Sequence, residues 1–148
     1  MSKFRAAVFA SGTGSNFEVI MEANLRCEIK LLICDQPNAL VVAKAKQYRV
    51  PTLGFKASDY STKQAYEHDI LQQLRNKGIQ WIFLAGYMRI IGETLLTAYP
   101  GKIINIHPSL LPAFPGKDAI RQAVEAKAQQ TGVSIHYVDA GIDTGPII

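Results

Sequence analysis

The chain has 148 residues, 48% hydrophobic and 19% charged, a composition typical of one folded domain and unlike that of a disordered protein. Its formal net charge is only +4, and the cationic residues are scattered along the chain, so a nucleic-acid-binding surface is not expected. Apolar runs long enough to span a membrane and a leader sequence are both missing, so we expect a cytoplasmic protein that does not engage membranes.

Apolar segments of strand length alternate with segments of helical period along the chain. Strands are predicted at Phe4–Ala10, Ile29–Cys34, Trp81–Ala85, Lys102–Ile106 and Thr131–Val138. The first four runs are almost continuously apolar, which is typical of parallel strands that helices cover on both faces. We therefore predict an α/β fold, a mostly parallel sheet with helices on both faces, in a single domain over residues 1–148.

Helices are predicted from capping residues and apolar periodicity. They begin at or near Ser15, Asn38, Ser61 and Gly92, and a further helix spans Asp118–Lys127. Ser15 and Glu18 are spaced as a capping box, in which each side chain bonds the other residue's backbone N–H. Ser61 and Gln64 repeat the pattern, and Gly78 supplies the C-terminal stop of that helix.

The cysteines and two of the three histidines have no metal-ligand spacing. Cys27 and Cys34 lie in or near apolar stretches and are expected to be ordinary core thiols. His68 and His136 are expected to be surface or structural residues, with His136 exposed on the face of its strand opposite its two neighbours. No metal site is predicted.

The segment Ser11–Asn16 directly follows the first strand and opens the first helix. Its glycines permit a tight turn, and the unpaired N–H groups and dipole of a helix N-terminus favour an anion there. Ser15 and Asn16 add side-chain donors. The segment therefore predicts a phosphate-binding loop, with a simple capped turn as the alternative; it matches neither a full dinucleotide fingerprint nor a P-loop.

Asn105 and His107 lie at the end of the fourth predicted strand, which Pro108 terminates. Residues i and i+2 of a strand share a face, so these side chains should project together at the carboxyl end of the strand, where open α/β sheets bind ligands. An Asn amide can stabilise an oxyanion and a His can transfer a proton, which suits acyl-type transfer. A hydrogen-bonded structural histidine is the alternative.

Asp143 lies in a glycine-punctuated loop that follows the last predicted strand. A carboxylate close to an imidazole favours its protonated form and orients its ring. Sequence spacing does not bring Asp143 near His107, so the role of an acid in an Asx-type turn stays open.

Four motifs in combination resemble the folate-dependent formyltransferases, and most closely the phosphoribosylglycinamide formyltransferases of purine synthesis. They are the Ser11–Asn16 loop, Leu84–Ile90, Asn105–Pro112 and Asp143–Pro146. The resemblance covers essentially the whole chain. It implies a three-layer, Rossmann-like open sheet and a formyl transfer from 10-formyltetrahydrofolate to the amine of 5'-phosphoribosylglycinamide (glycinamide ribonucleotide).

The same resemblance implies a role for each matching residue. Asn105 would hold the formyl oxygen, His107 would be the proton donor, and Asp143 would favour the protonated state of His107. The substrate phosphate would be bound by Gly14, Ser15 and Asn16. The folate site would comprise Lys63, Met88, Arg89, Ile90, Ile91, Asn105, Asp139, Ala140, Gly141, Ile142 and Asp143. Lys63 replaces an expected arginine, so it lacks the planar fork that binds a carboxylate through two bonds.

Members of this family continue beyond the Asp143–Pro146 motif, so we expect a chain truncated at its C-terminal end that lacks some substrate contacts. Formyltetrahydrofolate hydrolase and methionyl-tRNA formyltransferase cores are the nearest alternatives, and a non-catalytic nucleotide-binding module is another. The expected partners are the two small-molecule substrates and no nucleic acid, with the protein either a monomer or a homodimer.

Overall fold

The computed structural model describes residues 3–23, 26–107, 111, 113, 115, 122, 125–127, 134–141 and 145–148, with the backbone alone at His107. Within these ranges the strands are β1 Phe4–Ala10, β2 Cys27–Cys34, β3 Thr52–Gly54, β4 Trp81–Leu84, β5 Ile103–His107 and β6 Ser134–Tyr137. The helices are α1 Ser15–Glu22, α2 Leu40–Gln47, α3 Lys63–Asn76 and α4 Glu93–Ala98, with a 3₁₀ turn at Ala57–Asp59.

The strands form one sheet in the order β3-β2-β1-β4-β5-β6. Strands β1 to β5 are parallel to their neighbours, and β6 pairs antiparallel with β5. The chain therefore builds outward from β1 in one direction and then returns to build outward from β4 in the other. In open α/β sheets the carboxyl ends of the strands at such a reversal border a crevice that binds ligands.

Two apolar layers cover the sheet, and β1 contributes to both. Ala7 and Phe9 belong to the layer under α3 and α4, whereas Val8 and Ala10 belong to the layer under α1 and α2. Successive residues of a strand point to opposite faces, so a strand covered on both sides needs apolar residues throughout. The buried pattern confirms the predicted α/β fold with helices on both faces.

The N-terminal caps of two helices differ from those predicted from the sequence. The predicted capping box at Ser15 is wrong: α1 does begin at Ser15, but its N-cap is Gly14 in the left-handed conformation, without a side-chain cap. The N-cap of α3 is Thr62, whose hydroxyl accepts from the Ala65 N–H at 3.1 Å, one residue later than predicted. Adjacent Ser and Thr residues are equivalent caps chemically, so the packing of the helix decides between them.

Other boundaries agree closely with the sequence predictions. Gly78 follows α3 with a positive φ of 65°, as expected of its stop signal. Helix α2 begins two residues later than predicted, and the edge strand β3, which is only three residues long, was not predicted. Most of the predicted Asp118–Lys127 helix and the first three residues of the Thr131–Val138 strand lie outside the described residues.

Candidate active site

The loops that follow β1 and β4 are joined at the point where the strand order reverses. The Ser11 N–H donates to the Gly86 carbonyl at 3.0 Å, and the Met88 N–H donates to the Ser11 hydroxyl at 2.9 Å. Gly86 turns the chain there with a φ of 78°. Two segments predicted to bind different ligands, the phosphate loop and the Met88–Ile91 wall, are therefore neighbours in the crevice.

Gly14 determines the turn of the predicted phosphate loop, Ser11–Asn16. Its φ is 79°, and a side-chain Cβ at this position would lie 2.7 Å from Cγ2 of Val41. The Val41 N–H also donates to the Gly12 carbonyl at 3.1 Å, which ties the loop to α2. The exposed Ser15 and Asn16 follow in the first turn of α1, where backbone N–H groups have no helical partners and favour an anion.

The segment after β4 presents apolar side chains to solvent. Met88 is 60% exposed and Ile90 is 51% exposed, whereas Ile91 is buried in the core beneath them. Exposed large apolar side chains beside polar groups are typical of a ligand site. This arrangement suits the wall of a pocket for a flat, partly apolar ligand.

Two side chains of α3 contact the end of that segment. The Lys63 ammonium donates to the Ile90 carbonyl at 2.7 Å. Glu67 is only 2% exposed, and its carboxylate accepts from the Gly92 N–H at 2.8 Å. Burial raises the pKa of Glu67, although the Gly92 N–H and the charge of Lys63 act in the opposite direction.

Arg89 forms an ion pair with a residue that the sequence reasoning did not include. Its Nε donates to Oδ2 of Asp35 at 3.1 Å, and its guanidinium carbon lies 5.9 Å from the centroid of the Tyr66 ring. Asp35 follows β2 directly and is 4% exposed, and its Oδ1 has no hydrogen-bond partner in the described part of the chain. Asp35 therefore fixes the Arg89 side chain, which lies over the Tyr66 ring.

His136 pairs with Asn105 across strands β5 and β6, where the two residues face each other in the register. The His136 Nδ1 lies 2.9 Å from the Tyr137 carbonyl, which can only accept, so Nδ1 carries the hydrogen. Nε2 then accepts from the Asn105 Nδ2 at 3.3 Å. This bond orients the Asn105 amide.

The expectation that His136 is exposed is wrong. His136 is 2% exposed and its neighbour Ile135 is 45% exposed, so the alternation is present but the faces are interchanged. A polar pair that satisfies its own hydrogen bonds can be buried at low cost, which the single strand could not indicate. His68 is exposed, as expected.

The remaining predicted site residues are only partly described. Asp139, Ala140 and Gly141 are exposed, and the Gly141 N–H donates to the Asp139 carboxylate at 2.9 Å in a short turn. Ile142, Asp143 and the side chain of His107 lie outside the described residues. Among the described residues, no group of three or more His, Cys, Asp or Glu side chains is arranged to hold a metal ion. Nor does any helix there combine the length and apolarity that a membrane crossing demands.

Comparison with known proteins identifies the family to which this chain belongs. A sequence model of the formyl transferase family matches residues 4–148. The chain belongs to the formyl transferase family. Phosphoribosylglycinamide formyltransferase of Bacillus subtilis (strain 168) is 54% identical over all of this chain and 77% of its own length. The enzyme of the same name from Escherichia coli (strain K12) is 32% identical over 95% of this chain and 68% of its own.

A solved structure extends the comparison to three dimensions. Glycinamide ribonucleotide transformylase 1 from Geobacillus kaustophilus matches with a TM-score of 0.96 and 55% identity, over 99% of this chain and 80% of that one. The sheet of this formyl transferase is thus shared with a glycinamide ribonucleotide transformylase.

Three polar residues of the candidate site were not among the predicted site residues. Asp35, Glu67 and His136 are all buried, and each bonds a residue that was predicted or adjoins one. The available signal was a charged or polar residue within an otherwise apolar helix face or directly after a buried strand, because such groups are buried only when paired.

We predict that Gly14→Ala destabilises this formyl transferase by about 2–5 kcal/mol, since a left-handed non-glycine residue costs about 1–2 kcal/mol and overpacking about 1–3. Gly12→Ala is the matched control, because a Cβ at Gly12 has no atom within 4 Å. Urea unfolding of both variants measures the difference. Equal stabilities for the two variants would contradict the role assigned to Gly14.

We predict that Glu67 makes stability depend on pH in a defined direction. Burial raises its pKa in the folded protein above the ordinary value of 4.5, so folding favours the protonated carboxyl. The stabilising contribution is complete below about 4.5 and is lost as pH rises through the folded-state pKa. The unfolding free energy of the wild type, relative to Glu67→Gln, should therefore fall from acid to neutral pH.

Urea unfolding across this pH range tests the sign. Tyr99→Phe serves as the control, because it removes a buried neutral hydrogen bond from the Tyr99 hydroxyl to the Ile79 carbonyl. Its loss of about 1 kcal/mol should not change between acid and neutral pH. If the unfolding free energy of the wild type, relative to Glu67→Gln, rises with pH instead, the assignment is wrong.

Proposed function

We propose that this chain transfers the formyl group of 10-formyltetrahydrofolate to the amine of 5'-phosphoribosylglycinamide, a step of purine (IMP) biosynthesis. Family membership and the names of its relatives support the reaction class. The observation that carries the proposal is the junction of the two loops at Ser11, which sets an anion-binding helix terminus beside an apolar wall. A phosphorylated acceptor and a folate donor require this pairing.

The proposed phosphate site is the first turn of α1. Gly14 brings the backbone close to α2 without a side chain, and Ser15 and Asn16 are exposed there with their backbone and side-chain donors. Anions are stabilised at helix N-termini by unpaired N–H groups and by the helix dipole. The acceptor phosphate would bind there and orient its amine towards the carboxyl end of β5.

The proposed donor site lies across the crevice. Met88 and Ile90 offer exposed apolar contact area for the rings of the folate. We assign Arg89, Ile91, Asp139, Ala140, Gly141, Ile142 and Asp143 to the same site on the family resemblance. Lys63 is the nearby cation. We propose 10-formyltetrahydrofolate as a cosubstrate that is consumed, in a reaction that needs no metal.

The proposed transfer is direct and forms no covalent enzyme intermediate. The acceptor amine attacks the formyl carbon, and the formyl oxygen becomes an oxyanion that an N–H of the Asn105 amide stabilises. His107, in its protonated state, supplies the proton that the departing folate nitrogen takes as the carbon–nitrogen bond breaks. The proton that the attacking amine releases passes to His107, directly or through water that Asp143 orders, and this restores the imidazolium that Asp143 stabilises.

The first test is a product assay with glycinamide ribonucleotide and 10-formyltetrahydrofolate. We expect formylglycinamide ribonucleotide and tetrahydrofolate in equal amounts. Asn105→Ala should lower kcat by about 10²–10³-fold, as loss of an oxyanion donor does. His107→Ala should lower it by about 10²–10⁴-fold with substrate binding retained. His68→Ala, an exposed histidine on α3, is the control and should keep full activity.

Several outcomes separate this function from its alternatives. Formate released without the ribonucleotide acceptor indicates a hydrolase, and formylation of methionyl-tRNA indicates the tRNA-modifying class. Binding of the ribonucleotide without any folate-dependent product indicates a non-catalytic module. Any of these, in place of the expected product, overturns the proposal.

His136 provides a second prediction, because it fixes the Asn105 amide rather than contacting substrate. His136→Ala should lower kcat by about 10- to 100-fold, as modest misplacement of a catalytic group does. His136→Gln restores an acceptor for the Asn105 amide and should recover part of the rate. Steady-state kinetics and unfolding curves on the same preparations separate this effect from instability.

The combination of His136→Ala with Asn105→Ala completes this test. Once the Asn105 amide is absent, removing His136 should have little further effect on kcat, because both act through one hydrogen bond. Multiplicative losses in the double variant would show that His136 does not act through Asn105.

A further inference from the structure

Helix α3 holds the segment after β4 through two side chains one helical turn apart. Residues four apart lie on the same face of a helix, so Lys63 and Glu67 approach the segment together. Lys63 bonds the Ile90 carbonyl at 2.7 Å, and Glu67 bonds the Gly92 N–H at 2.8 Å. The two bonds engage an acceptor and a donor of the same short stretch of backbone.

We propose that Lys63 and Glu67 are positioning residues that hold Met88–Gly92 in the shape required to bind the formyl donor. The inference rests on the proposed function and deepens it, since it assigns the donor affinity to a backbone clamp. It also gives Lys63 a role different from a direct contact with a donor carboxylate.

The geometry around Gly92 shows how closely Glu67 is fitted. Gly92 is the N-cap of α4, and a Cβ there would lie 2.6 Å from Oε1 of Glu67 and 3.0 Å from Cδ of Lys63. The carboxylate accepts from the N–H of this N-cap residue, a group that the first turn of α4 leaves unpaired, in the place of a side-chain cap from its own helix.

The clamp is completed at the other end of the segment. The Met88 N–H bonds the Ser11 hydroxyl, so the backbone is anchored at Met88, Ile90 and Gly92. Alternate residues of this stretch are thereby tied to the rest of the protein while the Met88 and Ile90 side chains remain exposed. A wall held in this way loses little conformational entropy when a ligand packs against it.

Glu67 is 2% exposed, and burying its carboxylate has a desolvation cost that hydrogen bonds unavailable to an apolar residue must offset. Leu or Met at position 67 would fill the same space without a desolvation cost. Neither could bond the Gly92 N–H. The burial of Glu67 is thus explained by its hydrogen bond to the backbone at the end of the exposed apolar segment, whose position that bond fixes.

The experiment measures steady-state constants for Lys63→Ala, Glu67→Ala and Glu67→Gln with two donors, 10-formyltetrahydrofolate and its analogue without the glutamate moiety. We expect Lys63→Ala and Glu67→Ala to raise the donor KM by about 10-fold, the factor that loss of a charge-assisted hydrogen bond produces. The KM for the ribonucleotide should stay within about twofold. Glu67→Gln keeps an acceptor and should recover most of the donor affinity.

The shortened donor separates positioning from direct contact. If Lys63 acts through Ile90, its substitution raises KM for both donors by the same factor. If Lys63 instead binds the glutamate carboxylate, the increase disappears with the shortened donor, which overturns the proposal for Lys63. The Lys63→Ala and Glu67→Ala double variant should lose less than the product of the single losses, because both residues hold one segment.

Two controls and one direct measurement complete the design. Gln64→Ala alters an exposed residue in the same turn of α3, and Tyr99→Phe weakens a buried hydrogen bond elsewhere; neither should change the donor KM. Amide hydrogen exchange should show faster exchange at Gly92 in Glu67→Ala than in the wild type. Unchanged exchange and unchanged donor KM together overturn the proposal for Glu67.

Tetrahydrofolate binding, measured by calorimetry, makes this result independent of the proposed function. If the wild type binds tetrahydrofolate but forms no formylated product, the proposed reaction fails. The clamp is then judged by whether Glu67→Ala weakens tetrahydrofolate binding by a similar factor. If the wild type is active and binding by the variant is unchanged, the clamp alone fails.

Discussion

Strand β1 is buried on both faces, and its parallel pairing with β2 on one side and β4 on the other organises the molecule. Parallel neighbours can be reached only by crossovers, so the chain must leave β1 in one direction and return to β4 from the other. The loops after these two strands then diverge to opposite faces of the sheet. The crevice between them, joined at Ser11, is a consequence of this pairing.

The crevice stands on buried polar groups rather than on apolar packing alone. Asp35 bonds Arg89, Glu67 bonds the backbone at Gly92, and His136 bonds the Asn105 amide. Each burial has a desolvation cost that a hydrogen bond offsets and that an apolar substitute would avoid. Because the groups they bond surround the crevice, the cost is concentrated where orientation matters for ligand binding.

Exposed and buried residues have different roles in the candidate site, and Asp35, Glu67 and His136 belong to the buried set. Exposed groups such as Met88, Ile90, Ser15 and Asn16 are free to meet ligands. The buried groups beneath them limit the orientations that the exposed segments adopt. A site prepared in this way binds with less ordering at the moment of association.

Much of the fold was predictable because it depends on local pattern. Residues adjacent in sequence determine the apolar runs of β1, β2, β4 and β5, the stop at Gly78 and the start of α1. The edge strand β3 escaped prediction because three residues carry too little periodicity, and the Ser15 cap was misassigned because Val41, far along the chain, determines the conformation of Gly14. The candidate site was predicted from motifs that combine segments of the chain.

By itself the sequence determined the layered α/β fold, the tight turn between the first strand and the first helix and the placement of Asn105 within a strand, because each depends on periodicity or on a few adjacent residues. Only the tertiary structure decided that His136 is buried against Asn105, that Asp35 holds Arg89, and that Lys63 and Glu67 bond the backbone beside Ile91. These contacts join residues distant in sequence, and hydrogen-bond partners of that kind are chosen by the packing of the whole sheet.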